Sequence, residues 1–168
     1  SANFTSPGQI ILVNCTKAII ADLNLSTATV GLHLFSTNNS VITNVTSNGG
    51  QYGFHFDSES TNNTVIKCNT SNNGFYGQFL DSSNTTVINC TAEYNNYHGF
   101  YFDFPGGFNT IINSTACNNN NEGISIGNSG NNTIINCTLY SNTGNGLQIF
   151  SSEDNTVVNS TFSENSEE

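Results

Sequence analysis

The sequence predicts an all-β fold, a parallel β-helix of about seven turns of 22–24 residues, on three observations. Aliphatic doublets recur at Ile19-Ile20, Val41-Ile42, Val65-Ile66, Val87-Ile88, Ile111-Ile112, Ile134-Ile135 and Val157-Val158, spaced by 22, 24, 22, 24, 23 and 23 residues. Glycines recur in step with them, at Gly31, Gly53, Gly77, Gly99, Gly123 and Gly146, spaced by 22, 24, 22, 24 and 23. After each glycine the residues alternate, as in Gly53-Phe54-His55-Phe56 and Gly123-Ile124-Ser125-Ile126. Two columns that keep step mark a solenoid, and period two marks a strand with one buried face.

Each element follows from this frame. The residues one and three places after each glycine point inward and the residue two places after points outward; Gln78 breaks the inward column. Asn-Asn, Ser-Asn and Asn-Gly between the strands supply tight corners, because Asn and Gly tolerate left-handed backbone. Successive turns then pair in parallel about 4.8 Å apart, so seven turns make a rod about 34 Å long. Like residues stack on like, Asn side chains form hydrogen-bonded ladders, and stability is a sum over neighbouring turns.

The chain of 168 residues reads as one domain, with a solenoid core at about 8–162 and a short polar acidic tail at 163–168. Only 8% of residues are charged, the net charge is −10, and the two cations are Lys17 and Lys67. With so few cations, nucleic acid and anionic lipid are excluded as partners. No apolar run approaches the length of a membrane span, so no membrane insertion is expected. The opening SANFTSPGQ reads as a mature or cut end.

The phrase Asn132-Thr133-Ile134-Ile135-Asn136-Cys137-Thr138 and its copies, each followed by Gly and an apolar alternation, resemble the repeat of pectate-lyase-like β-helix proteins. More narrowly they are similar to NosD-like and CASH-type repeats, including Asn-rich versions in archaeal surface proteins. The resemblance runs from about Gly8 to Phe162. It implies a right-handed coil and leaves function open, since that family spans lyases, hydrolases, adhesins, copper-related periplasmic proteins and envelope components. Its lyases use Arg or Lys, and this chain has no Arg. Its hydrolases use paired acids with a Gly-His-Gly and an Arg-x-Lys segment; His98-Gly99 resembles the first, and no segment matches the second.

Cys68, Cys90 and Cys137 sit three residues after the first aliphatic of their doublets, where other turns carry Asp22, Asn44, Ser114 and Ser160. Parity with the second aliphatic suggests a core-facing column of small side chains. Cys68 and Cys90 fall in adjacent turns, within disulfide reach at Cα but with parallel Cβ vectors. Cys15 and Cys117 lie in other columns, and an odd count leaves at least one thiol free or paired between chains.

Asp57, Asp81 and Asp103 share the fourth position after the glycine in three consecutive turns. This ladder is a candidate calcium site, or each carboxylate serves its own corner. His33, His55, Phe79 and Tyr101 share the second position and form an outward aromatic stripe. The segment Phe104-Pro105-Gly106-Gly107-Phe108 reads as a loop that adds to it. Such a surface is either a sugar platform or a contact with another chain. Among the many sequons, Asn38, Asn62, Asn84 and Asn131 fall at corners, where an exported chain can accept glycan.

The chain opens on a Gly-type half turn, Gly8–Val13, and closes on a doublet-type half turn, Val157–Phe162. Either it joins head to tail with a second copy, or it is a piece of a longer solenoid. Two functional expectations result. The first is a non-catalytic extracellular component, archaeal by resemblance, that self-associates through its ends into a filament, sheath or envelope layer. The second is a carbohydrate-binding or polysaccharide-cleaving module using the Asp57/Asp81/Asp103 face. No cofactor is expected beyond the candidate calcium.

Overall fold

The computed structural model describes residues 8–103 and 106–166; Phe104 and Pro105 of the expected loop, and the end of the acidic tail, lie outside the described residues. The described residues form three parallel sheets and no helix. The first sheet stacks Ile10–Val13, Val30–Phe35, Tyr52–Phe56, Gln78–Leu80, Phe100–Phe102, Ile124–Gly127 and Leu147–Phe150. The second stacks Ile19–Asn24, Val41–Thr46, Thr64–Ile66, Thr86–Ile88, Thr110–Ile112, Thr133–Ile135 and Thr156–Val158. The third stacks Thr91–Glu93, Thr115–Cys117, Thr138–Tyr140 and Thr161–Ser163. Chain order alternates between the sheets, so each turn of the coil contributes one strand to each sheet it crosses.

The glycine column holds without a slip: Leu32, Phe54, Gln78, Phe100, Ile124 and Leu147 are register partners in succession. The doublet column slips by one residue between the second and third turns. Val41 pairs with Thr64 and Ile42 with Val65, where the sequence reading had matched Val41 to Val65. The inward residue is therefore the second of the pair at Ile20 and Ile42, and the first at Val65, Val87, Ile111 and Ile134.

This slip also reassigns the residues matched to the cysteines. Asp22 and Asn44 belong with Lys67, Asn89, Asn113, Asn136 and Asn159, in a column whose φ runs from 49° to 58°. Cys68 follows Val45 in register instead, one place before the Thr46–Asn69 bridge. The left-handed residue just before each cysteine breaks the period-two alternation. The first aliphatic and the cysteine three places later therefore both face the core, and the parity argument from the second aliphatic does not apply. The same left-handed requirement explains the abundance of Asn, since among residues with a Cβ it enters that region at least cost.

Buried asparagines hold the turns together. Asn73 Nδ2 donates to Asn95 Oδ1 at 3.0 Å, Asn95 to Asn119 at 3.0 Å, Asn119 to Asn142 at 2.9 Å and Asn142 to Asn165 at 3.0 Å. Each Oδ1 also accepts the backbone N–H of the asparagine one turn earlier, and the second amide proton of each goes to a main-chain carbonyl such as Ala92 O at 3.1 Å. In Asn95, Asn119 and Asn142 all four hydrogen-bonding capacities are used, so burial costs these amides little. A second ladder runs Thr85 N–H to Asn109, Asn109 to Asn132 and Asn132 to Asn155 at 2.8–2.9 Å.

The cysteines belong to a third ladder. Cys68 N–H donates to Cys90 Sγ at 3.4 Å, Cys90 N–H to Ser114 Oγ at 3.1 Å and Cys137 N–H to Ser160 Oγ at 3.2 Å. Each thiol or hydroxyl turns its own hydrogen to the carbonyl two residues back, as from Cys90 to Ile88 at 3.4 Å and Ser114 to Ile112 at 3.0 Å. Cys and Ser are alternatives for one geometric task at this position. The glycine column faces the first asparagine ladder. A Cβ on Gly99 would stand 2.6 Å from Gly123 O and 2.9 Å from Asn119 Nδ2, so no larger residue fits.

Between the sheets the core is filled in layers by Leu34, Phe54, Phe56, Leu80, Phe100, Phe102, Ile124 and Ile126 from the first sheet. Val65, Val87, Ile111 and Ile134 face them from the second, and Ala92, Ala116 and Leu139 from the third. Gln78 sits between Phe54 and Phe100, fully buried, with only the weak acceptor and donor of the Cys90 thiol beside it and no well-aligned partner for either amide atom. Leaving such a group unpaired costs about 1–3 kcal/mol. Replacement of Gln78 by Leu is expected to stabilise the fold by about 1 kcal/mol in denaturant unfolding. Asn119→Ala, which removes partners of groups on the two adjoining turns, is expected to destabilise it by about 3 kcal/mol or more.

Candidate functional site

The outward columns of the first sheet form one continuous aromatic face. His33 stacks on His55 at a centroid distance of 4.4 Å, His55 on Phe79 at 4.8 Å and Phe79 on Tyr101 at 5.3 Å, with ring planes within 23° throughout. In-register parallel pairing stacks like on like, so four successive turns carry one ring each at the same site. A second column stands beside it, on the residue just before each glycine: Tyr52, Tyr76 and His98. Tyr52 meets Phe79 at 6.1 Å, Tyr76 lies between Phe79 at 5.2 Å and Tyr101 at 5.0 Å, and Tyr76 stacks on His98 at 5.4 Å. Phe75 and Tyr97, one residue earlier still, extend the patch and are 44% and 42% exposed.

The three aspartates flank this face, and each has its own local contact. Asp57 accepts the Ser36 N–H at 3.1 Å and the Ser60 hydroxyl at 2.7 Å, which is a corner role. Asp81 Oδ2 lies 3.8 Å from His55 Nε2, and its Oδ1 is buried without a hydrogen-bond partner. Asp103 accepts the Tyr101 hydroxyl at 3.0 Å. Among the described residues, no three His, Cys, Asp or Glu side chains converge as a metal ion would require.

Below Tyr101 the stripe ends, because Ser125 is the next residue in that column. Glu122 likewise follows His98 in the second column. The smaller side chains leave a cleft of about 330 Å³ lined by Tyr76, Tyr97, His98, Tyr101, Glu122 and Gln148, among others. His98 Nδ1 lies 2.8 Å from Glu122 Oε2, without the alignment of a hydrogen bond, and both side chains are more than nine-tenths buried. Burial disfavours the charged ring and lowers its pKa to about 4. Burial also pushes the Tyr76 hydroxyl up to about 12, and burial and then the bond to Asp103 raise Tyr101, so both phenols keep their protons. His33 is lowered by burial and by His55, with Asp57 opposing.

The remaining sequence candidates are dispersed. Cys68, Cys90 and Cys137 are buried in the core, and all five thiols are free. Cys117 is buried between Glu93 and Tyr140 of the adjoining turns, which removes it as an accessible inter-chain thiol; Cys15 is half-buried. Asn62, Asn84 and Asn131 are exposed at left-handed corners of one column. Asn38 is offset from them, and its Oδ1 accepts both the N–H and the hydroxyl of Thr61, at 2.6 and 2.9 Å. Lys17 and Lys67 occupy left-handed corners on either side of the second sheet's strands, away from the aromatic face. The second aromatic column was missed because only the positions after each glycine had been aligned. Its signal was present, as aromatic residues before Gly53, Gly77 and Gly99.

A family model described as a right-handed β-helix region matches residues 9–162. The chain belongs to the right-handed β-helix family. No curated protein sequence matches it. Among solved structures, this β-helix is similar to a mutant of the periplasmic alginate epimerase AlgG, with 18% identity and a TM-score of 0.74 over 83% of this chain and 34% of that one. It is similar to the tailspike protein gp49 from Pseudomonas phage LKA1, with 14% identity and a TM-score of 0.69 over 88% and 28% of the two chains. It also resembles the A-module of the Azotobacter vinelandii mannuronan C-5 epimerase AlgE4, with 14% identity and a TM-score of 0.54 over 86% and 52%. The β-helix thus spans about a third of the first two relatives and about half of the third, and at these identities the likeness is one of fold.

The buried histidines make stability pH-dependent with a defined sign. Unfolded imidazoles take up protons near 6.5, whereas folded His98 does so only near 4. The unfolded chain therefore binds more protons between those values; stability is intact above about pH 6.5 and falls as pH drops through the window. His33 acts in the same direction. Thermal midpoints measured between about pH 7 and pH 4 should fall with acid, and His98→Asn should flatten the slope.

Proposed function

We propose that the aromatic face of the first sheet is a carbohydrate-binding surface that receives a polysaccharide chain along the solenoid. The observation that carries this reading is the unbroken contact of rings from His33 to Tyr101, flanked by Tyr52, Tyr76 and Tyr97 on one side and by the Asp57, Asp81 and Asp103 carboxylates on the other. Sugar rings present apolar C–H faces and a girdle of hydroxyls. Flat aromatic rings take the first and carboxylates accept hydrogen bonds from the second. The stripe rises about 14 Å over three turn spacings, a groove for an extended ligand rather than a pocket for a small one.

The named activities of the structural neighbours support a polysaccharide ligand by analogy of fold. The periplasmic epimerase and the phage tailspike among them favour the exported setting expected from the low charge and the sequons. Binding is favoured over cleavage because the face carries no Lys or Arg and two of its aspartates are already engaged. The assembly component expected first rested on the chain ends, whereas this reading rests on a surface in the middle of the molecule.

The test is affinity electrophoresis of the chain through gels containing different polysaccharides, followed by calorimetry on any that retard it. Phe79→Ala and Tyr76→Ala are each expected to weaken binding at least tenfold while the fold remains intact, since each removes a ring from the face on which the sugars would lie. Failure of the unaltered chain to bind any polysaccharide would overturn the proposal.

A further inference from the structure

The stripe and the cleft differ in chemistry. Along the stripe the groups facing solvent are ring faces. In the cleft they are polar: Glu122 Oε2 and His98 Nδ1 face each other at 2.8 Å, and Ser125 Oγ is buried without a hydrogen bond, on side chains that are 6%, 6% and 1% exposed. Buried polar atoms in native proteins are overwhelmingly paired, so an orphaned hydroxyl next to a buried His–Glu pair marks a place where a polar group arrives from outside. Small side chains create the opening, because Ser125 stands where the four preceding turns carry His33, His55, Phe79 and Tyr101.

The charge of the expected ligand follows from the same residues. Glu122 is the buried acid of the cleft, Asp81 and Asp103 stand close by in the flanking column, and both lysines of the chain are on the second sheet's side. A uronate or phosphate placed here would meet carboxylates with no cation to offset them. An ammonium group would gain from Glu122 but would lose part of its hydration beside that buried carboxylate. A neutral hydroxyl satisfies the carboxylate at the smallest desolvation cost and also matches the Tyr76 phenol, which stays a protonated donor.

We infer that the cleft between Tyr97, Tyr101, Glu122 and Gln148 is a subsite for one uncharged sugar unit, with Glu122 accepting a sugar hydroxyl, and that the protein selects neutral glycans against polyuronates. This inference rests on the carbohydrate-binding reading of the aromatic face. It separates the chain from relatives named for alginate and mannuronan, whose fold it shares. His98 is a positioning residue in this arrangement, holding the Glu122 carboxylate by a 2.8 Å contact.

The experiment titrates the full chain with neutral glucan, mannan and galactan oligosaccharides and with oligomannuronate at low salt, using calorimetry and the tyrosine ring signals in NMR. The expected result is binding of at least one neutral oligosaccharide with shifts of the Tyr97 and Tyr101 rings, and no binding of oligomannuronate. Glu122→Gln is expected to weaken neutral binding at least tenfold with an unchanged thermal midpoint. Neutral binding that survives within twofold in Glu122→Gln but is lost in Phe79→Ala would overturn the subsite and leave the aromatic face standing. So would ring shifts that leave out Tyr97 and Tyr101, or oligomannuronate binding as tight as neutral binding. Failure of the unaltered chain to bind any glycan would overturn both readings.

Discussion

One spacing governs the molecule: the distance between adjacent turns, set where buried asparagine amides bond to one another up the axis. An amide side chain has two donors and room for two acceptors, and in Asn95, Asn119 and Asn142 all are used within the stack. A ladder of this kind works only if every turn repeats the same rise, so any irregularity would leave a buried amide unpaired. The glycines follow from it, since the ladder and the next turn's carbonyl occupy the space that a Cβ at Gly77, Gly99 or Gly123 would need. The stacked rings follow as well, because a constant rise brings His33, His55, Phe79 and Tyr101 into contact face to face.

This arrangement separates the work of the two sides of a strand. The inward side carries the fold, through amide ladders, the thiol–hydroxyl ladder and a thin apolar core. The outward side is free to carry chemistry, because it takes no part in the ladders. A run of aromatic residues outside is therefore not explained by packing needs. The apolar demand of the first sheet is already met by Phe54, Phe56, Phe100 and Phe102 on the inner face. Rings on the outer face remain partly in water, and a scaffold this short of charge would be more soluble without them.

Most of the fold was legible because the glycine column reflects a steric requirement that no other residue meets. The aliphatic doublets were a weaker guide. Hydrophobicity marks both members, and only one of them is inside, so a slip of one residue leaves the pattern looking the same. The slip between Val41-Ile42 and Val65-Ile66 could be seen only from the pairing itself. The inward direction of Cys68, Cys90 and Cys137 was read correctly from a parity that the left-handed residues before them in fact invert. Of the site, the stripe was legible as a column. Its neighbours Tyr52, Tyr76 and His98 were in the same sequence but on the far side of the glycine, where the change of direction hides that both columns emerge on one face. The adjacency of His98 and Glu122 follows from the same column, each standing just before a glycine of the repeat, but their burial and close approach do not show in the pattern.

The change along the axis, from rings to polar groups, bears on how such a surface discriminates. A stacked ring accepts almost any sugar face, so a uniform stripe would bind broadly and weakly. In the proposed subsite a buried carboxylate held by His98 would favour a donor over an anion, and would add selectivity at one unit of the ligand without altering the rest. In a solenoid this requires no new element. Two outward substitutions at fixed columns, Ser125 where a ring would stack and Glu122 where His98 precedes it, open the cleft and charge it while the inward ladders run on unchanged beneath. In the proposed reading, specificity would be carried by the outer residues of one turn, while stability is carried by the inner residues of all of them.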